Sequence, residues 1–214
     1  MTTPGSIPIF PLPGVVLLPG TLLPLHIFEP RYRAMVSDAL AGDRLIGMAM
    51  IRDEDAETAR PPVHAIGGAG EIVESQELED GRYNIVLEGK FRYRILEEDH
   101  ARPYRVAKIE RVASLPFPSL ASETRALRDA ILLFAEVAAP MELPALPAEA
   151  LSAERLGSEL AVRLRYSPEE LQRLLEVDSL PGRFEALSGR MEEWRRRIRF
   201  LAPFRASGQD AMKN

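Results

Sequence analysis

Residues Ile7–Leu40 read IPIFPLPGVVLLPGTLLPLHIFEPRYRAMVSDAL, and they decide the class of fold. The first half is a series of short apolar runs, Ile7–Phe10 and Val15–Leu18 among them, punctuated by proline and glycine. Runs this short predict strands joined by tight loops. Beyond Phe28 the period changes. Tyr32, Met35, Val36, Ala39 and Leu40 recur at i, i+3, i+4, i+7 and i+8, the spacing of one helical face. Pro30 suits the first turn of that helix, and Gly42 suits the position just past its end. The opening therefore predicts a β-rich unit with one embedded helix.

Further strands follow downstream. Leu45–Ile51 (LIGMAMI) is a continuous apolar run, as in a strand buried on both faces. Ile66–Val73 carries Gly67, Gly68 and Gly70, the mark of a bulged or sharply coiled strand. In Asn84–Leu96, the side chains Ile85, Leu87, Phe91, Tyr93 and Ile95 share one face, and Glu88, Lys90, Arg92 and Arg94 alternate with them. Gly89 interrupts the apolar face where a barrel-like bend would want it. Glu79-Asp80-Gly81 supplies hairpin chemistry before this strand, and Tyr104–Val112 reads as its antiparallel neighbour.

After SLPFPS (114–119) the chain turns helical. Leu127, Ala130, Ile131, Phe134 and Val137 form one helical face from about Ser122, and Leu156, Leu160 and Leu164 form another. Ser167-Pro168-Glu169-Glu170 is a capping box with proline at N1. Leu187, Met191, Trp194, Ile198 and Leu201 are spaced by 4, 3, 4 and 3, a heptad-like seam. The expected organisation is an α+β chain with a β-rich subdomain over 6–115, a helical bundle over 119–205 and a frayed tail over 206–214.

Composition excludes several classes of function. With 27 basic and 32 acidic residues the net charge is −5, which argues against a general nucleic-acid binder. Cysteine is absent, so there is no disulfide framework, thiolate zinc site, iron–sulfur cluster or cysteine nucleophile. His26, His64 and His100 leave little for an imidazole metal cage, and no metal or cofactor is expected. The N-terminus MTTPGSIPIFPLPG lacks the charged region of a signal peptide, and no run of 18 apolar residues exists. The expected setting is the cytoplasm, away from membranes.

Individual motifs carry little chemistry. In Gly67-Gly68-Ala69-Gly70 a phosphate loop would need lysine and a hydroxyl residue after the last glycine, but Glu71 follows. There is no G-x-S-x-G elbow, and a Ser–Lys dyad could draw only on Lys90, Lys108 or Lys213. No catalytic residue is expected. Arg195-Arg196-Arg197 follows Glu192 and Glu193 at helical spacing, so that charge reads as locally offset. The stripe Lys90, Arg92 and Arg94 is uniform, although cross-strand acids such as Glu110 could pair with it.

Taken in order, Ile7-Pro8, Pro11-Leu12, Val16-Leu17-Leu18-Pro19-Gly20, Pro24-Leu25 and Ile27-Phe28-Glu29-Pro30-Arg31-Tyr32 resemble the opening of the Lon N-terminal domain family, the substrate-recognition module of Lon proteases. Ile66-Gly67-Gly68, Leu87-Glu88-Gly89-Lys90-Phe91-Arg92, SPEELQRLL (167–175) and Arg183-Phe184-Glu185-Ala186-Leu187 are similar to its later landmarks. The resemblance covers about 6–201. It implies a PUA-like, six-stranded pseudo-β-barrel with one embedded helix, followed by a helical bundle. It also implies a non-catalytic module, because no Walker motif and no protease domain accompany it, as in stand-alone Lon-domain proteins.

The expected function is recognition of unfolded or damaged polypeptides, as an adaptor in protein quality control, with a protease or chaperone as a further partner. Leu22, Leu23, Leu25 and Phe28 belong to an apolar stretch that holds more bulk than one short strand can bury, so they are the candidate polypeptide-binding residues. Arg31 joins them because it falls off the apolar helical stripe, where it could pair with an acid at the domain junction or stay free to meet a partner. Glu29 is expected to cap the helix and Tyr32 to pack in the core. The alternative is a PUA-like RNA binder using Lys90, Arg92 and Arg94.

Overall fold

A computed structural model describes residues 5–52, 60–99, 101–147 and 151–210, with 202–210 described by their backbone alone. His100 and Lys213 lie outside the described residues. The chain divides into two compact units: residues up to Ser114 with Tyr166–Asp178, and Leu115–Arg165 with the segment from Ser179 onward.

The first unit holds six strands, β1 (Gly5–Leu12), β2 (Leu22–Ile27), β3 (Leu45–Met50), β4 (Ile66–Glu77), β5 (Tyr83–Asp99) and β6 (Arg105–Val112), with helix α1 (Pro30–Ala41) between β2 and β3. The sheet order is β2-β5-β4-β3-β1-β6. A further pairing of β6 with the second half of β5 closes five of these strands into a ring. β2 pairs with the first half of β5 and stands outside that ring. Only β1 and β3 are parallel. The expected α+β pseudo-barrel with one embedded helix and a helical C-terminal part is what the chain forms.

Its core follows the sequence periods. Tyr32, Met35, Val36 and Ala39 of α1 are buried with Ile85 and Leu87 of β5. Tyr93 is fully buried and donates its hydroxyl to the Met48 carbonyl at 3.0 Å.

Val15–Leu18, expected as a strand, is an irregular segment whose Leu17 and Leu18 are buried. The reason lies beneath it. A Cβ at Gly68 would stand 1.9 Å from the Leu17 carbonyl oxygen, and one at Gly89 would stand 2.1 Å from that of Leu18. The segment therefore crosses the sheet in backbone-to-backbone contact, which only glycine permits. The register shift between Ala69 and Gly70 confirms a bulge in the glycine cluster.

Helix α2 (Leu120–Ala138), helix α3 (Ala153–Arg163) and helix α5 (Leu180–Asp210) make the second unit. Phe134, Leu156, Leu160, Leu187, Met191 and Trp194 are buried there. Ile131 and Leu201, both on expected apolar faces, are instead 45% and 44% exposed. Because α5 runs to Asp210, residues 206–210 are helical rather than frayed, and 211–214 lie outside the described residues. Within the run Arg195-Arg196-Arg197 it is Arg195 that makes ion pairs, at 2.7 Å to Glu192 and 3.4 Å to Glu136.

Helix α4 (Pro168–Glu176), which the sequence placed in the bundle, groups with the first unit. Its Ser167–Glu170 capping box is formed as expected. Its Gln172 is buried and donates to the Ile66 carbonyl at 3.0 Å, and Glu176 meets His64 Nδ1 at 3.0 Å. No described helix is long and apolar enough to cross a membrane.

Candidate polypeptide-binding surface

Strand period separates the candidate residues. Along β2, Leu23, Leu25 and Ile27 turn inward, and Leu23 and Leu25 pack against the core. Leu22 (65% exposed), Pro24, His26 and Phe28 (60%) face out. The register aligns Pro24 with Val86 and Glu74, and His26 with Asn84 and Gln76, across β2, β5 and β4. These six side chains line an open groove of about 470 Å³. Leu22 and Phe28 flank it at the two ends of the strand. Leu23 and Leu25 are partly buried against the core, Leu25 also lining the groove, so that Leu22 and Phe28 are the exposed members of the candidate set.

His26 is held structurally. Asn84 Oδ1 lies 2.7 Å from Nδ1, so Nδ1 carries the proton, and Nε2 accepts from Arg82 at 3.2 Å.

Arg31 is not without a partner. Its guanidinium meets the Glu29 carboxylate at 2.9 Å and lies 4.5 Å from the centroid of the Tyr32 ring. Glu29 is correspondingly not a side-chain cap: its carboxylate is taken by Arg31 and makes no bond to the helix amides. Tyr32 is buried as expected. Burial pushes its hydroxyl up from the ordinary phenol range, with Arg31 and Arg105 acting in the opposite direction.

These residues edge a cleft of about 180 Å³ between the start of α1 and the start of β6. Arg31, Arg60 and Arg105 all line it, and Pro11, Pro13, Pro61 and Pro103 wall it. Arg105 was missed from the sequence. Its side chain is only 8% exposed and donates to the Pro61 carbonyl at 2.6 Å, with Glu98 behind it at 3.4 Å. The signal was present: in RVAKIERV, Arg105 has the same parity as Ala107 and Ile109, the inward residues of β6.

The alternative nucleic-acid stripe does not exist as a surface. Arg92 is buried and donates to the carbonyls of Leu175 (2.7 Å), Val177 (3.2 Å) and Ala113 (3.1 Å). Lys90 is bound by Glu88 at 2.5 Å and Glu71 at 3.1 Å, and those bonds, Glu88 first, raise its pKa above the ordinary lysine value. Arg94 is exposed, and although it opposes Glu110 in register, no ion pair joins them. One exposed guanidinium is not a phosphate-binding stripe.

No group of three His, Asp or Glu side chains that could hold a metal ion occurs among the described residues. An apolar-edged strand face and an arginine-lined cleft are both set on the six-stranded first unit. Residues 6–193 match the family model of the ATP-dependent protease La (LON) substrate-binding domain, and the chain belongs to that family. It is 30% identical over 188 residues to the Lon protease of Flavobacterium johnsoniae, covering 84% of this chain and 23% of that protein. The Lon protease of Dictyoglomus thermophilum is 28% identical over 192 residues, with 86% and 24% covered. The chain thus spans about a quarter of the length of the curated relatives it matches. Among solved structures, the N-terminal domain of Mycobacterium avium complex Lon protease superimposes with a TM-score of 0.67 at 17% identity, covering 88% of this chain and 98% of that one. A Lon N-terminal domain protein from Xanthomonas campestris gives a TM-score of 0.58 at 25% identity, covering 86% and 96%.

Proposed function

We propose that the chain is a non-catalytic polypeptide-recognition module that engages unfolded or damaged proteins and acts as an adaptor in protein quality control, delivering them to a protease or chaperone. The observation that carries this reading is the exposure of Leu22 and Phe28 at the two ends of the free face of β2, beside an open groove. Large apolar side chains held in water on a rigid strand suit the apolar segments that only unfolded chains present. Membership of a substrate-binding family supports the same reading.

The test is fluorescence anisotropy with a permanently unfolded probe, reduced and carboxymethylated α-lactalbumin. Covering one such side chain is worth about 1.5–3 kcal/mol when complete. Partial covering of two should therefore make the double variant Leu22→Asp/Phe28→Asp bind at least tenfold more weakly, with an unchanged circular dichroism spectrum. Absence of binding by the wild-type chain to this probe and to folded α-lactalbumin alike would end the proposal.

A further inference from the structure

The cleft between the start of α1 and the start of β6 has a chemistry of its own. Three of its lining side chains are guanidinium groups, and only one, Glu29, is a carboxylate. Arg105 is more than nine-tenths buried, and its nearest carboxylate oxygen, on Glu98, is 3.4 Å away. A full charge-assisted bond to a carboxylate is about 2.7–2.9 Å. Its short bond is to the Pro61 carbonyl at 2.6 Å, so the buried charge has a neutral acceptor close by and a carboxylate only at a distance. At the mouth, the Arg31–Glu29 pair is close to half-exposed on both sides. Such a pair is worth at most about 1 kcal/mol, so an incoming anion displaces it at small cost.

The backbone adds to the field. α1 begins with Pro30 at the edge of the cleft, its Tyr32 and Arg33 amides taken by the Glu29 carbonyl, so its dipole, rather than free amides, favours an anion there. The remaining wall is dominated by four prolines, which offer no N–H and lose little freedom when a ligand packs on them. At about 180 Å³ the cleft takes a group somewhat larger than benzene, which fits a cavity of about 150 Å³. It has room for one apolar residue and its carboxylate.

We propose that this cleft is a carboxylate pocket, that its ligand is an apolar residue bearing a carboxylate, and that the source is the free C-terminus of a client polypeptide. The assignment rests on the polypeptide-recognition reading and names the part of the client that is read. Arg105 holds the carboxylate from below, Arg31 holds it from the mouth, and the prolines pack on the terminal side chain. An aspartate or glutamate side chain within a client offers the same anion, and the test separates the two sources.

Three fluorescein-labelled decapeptides of one sequence ending in leucine are compared by anisotropy: the free acid, the C-terminal amide, and the amide with aspartate at its penultimate position. The free acid should bind at least tenfold tighter than either amide. Arg31→Gln, an exposed position, should reduce that preference about threefold without changing the melting temperature. Arg105→Gln should abolish it, with circular dichroism verifying the fold. Equal affinity for acid and amide would overturn the pocket, even if carboxymethylated α-lactalbumin still binds. An aspartate-bearing amide as tight as the free acid would overturn the C-terminal assignment. Loss of all binding, the unfolded probe included, would instead remove the underlying reading.

Discussion

Arg92→Ala is the substitution for which the structure gives the sharpest magnitude. The side chain is fully buried, and its guanidinium donates to three carbonyls, two of which lie at the end of α4 and one beyond the end of β6. Asp178 is 3.6 Å away but 61% exposed, so it contributes little beyond long-range attraction. Each hydrogen bond from a charged donor is worth about 1.5–3 kcal/mol, and the three are not additive because one group makes them all. Burial of the charge has already cost several kcal/mol, which offsets part of that gain. Truncation leaves the carbonyls of Leu175, Val177 and Ala113 without this donor and leaves a void, so the expected net loss is about 3–5 kcal/mol. For a chain of this length 1 kcal/mol moves the melting temperature by about 2–4 °C, which puts the shift at about 6–20 °C. Arg92→Lys keeps the charge but not the planar fork, and should lose about half as much. The assay is thermal and urea denaturation followed by far-ultraviolet circular dichroism. Trp194, the single tryptophan, reports the helical unit separately. Hydrogen exchange should show α4 losing protection first. A loss below about 1 kcal/mol for Arg92→Ala would refute the reasoning. It would mean that the three bonds only repay the desolvation of the charge.

Other outcomes are expected from equally local causes. Gly68→Ala sets a methyl group 1.9 Å from the Leu17 carbonyl oxygen, and backbone must move, at a cost of about 1–3 kcal/mol or more by urea denaturation. Leu23→Asp should unfold the first unit, whereas Leu22→Asp, one residue away, should leave its melting temperature within about 2 °C, since surface changes are usually within ±0.5 kcal/mol. Burial holds the Tyr93 phenol well above its ordinary value. Its contribution is therefore intact below the unfolded value of about pH 10 and is lost as the pH rises beyond it. In an absorbance titration at 295 nm Tyr93 should ionise only with unfolding, and Tyr93→Phe should cost about 1 kcal/mol at neutral pH while flattening the alkaline loss.

Much of the fold was legible because local signals agreed with it. The helix of Tyr32, Met35, Val36 and Ala39 buries that face, Pro30 opens it, and Gly42 closes it. The capping box at Ser167 is made by the residues that spell it. What could not be read was which unit a correctly predicted element joins. Helix α4 has an apolar face that would serve either unit, and the deciding contacts are polar and distant in sequence, Gln172 with the Ile66 carbonyl and His64 with Glu176. Val15–Leu18 failed for a related reason. Its apolar run suits a strand, but the glycines that let it lie flat on the sheet are Gly68 and Gly89, far along the chain.

The candidate binding residues show the limit of parity more sharply. In LLPLHIF every second residue shares a face, but both faces are apolar, so alternation alone cannot say which one is the core. The partner strand decides it. Leu23 and Leu25 oppose Leu87 and Ile85, both buried, whereas Pro24 and His26 oppose Val86 and Asn84 on the open side. Charge misleads in the same way when the opposite face is covered. Arg92 has the outward parity of β5 yet is buried, because α4 and the segment after β6 close over it. Arg105 has the inward parity of β6, and there the period alone would have marked it. A cation on the apolar parity of a strand must find acceptors inside or reach a cleft. Arg105 does both, donating to the Pro61 carbonyl and lining the cleft.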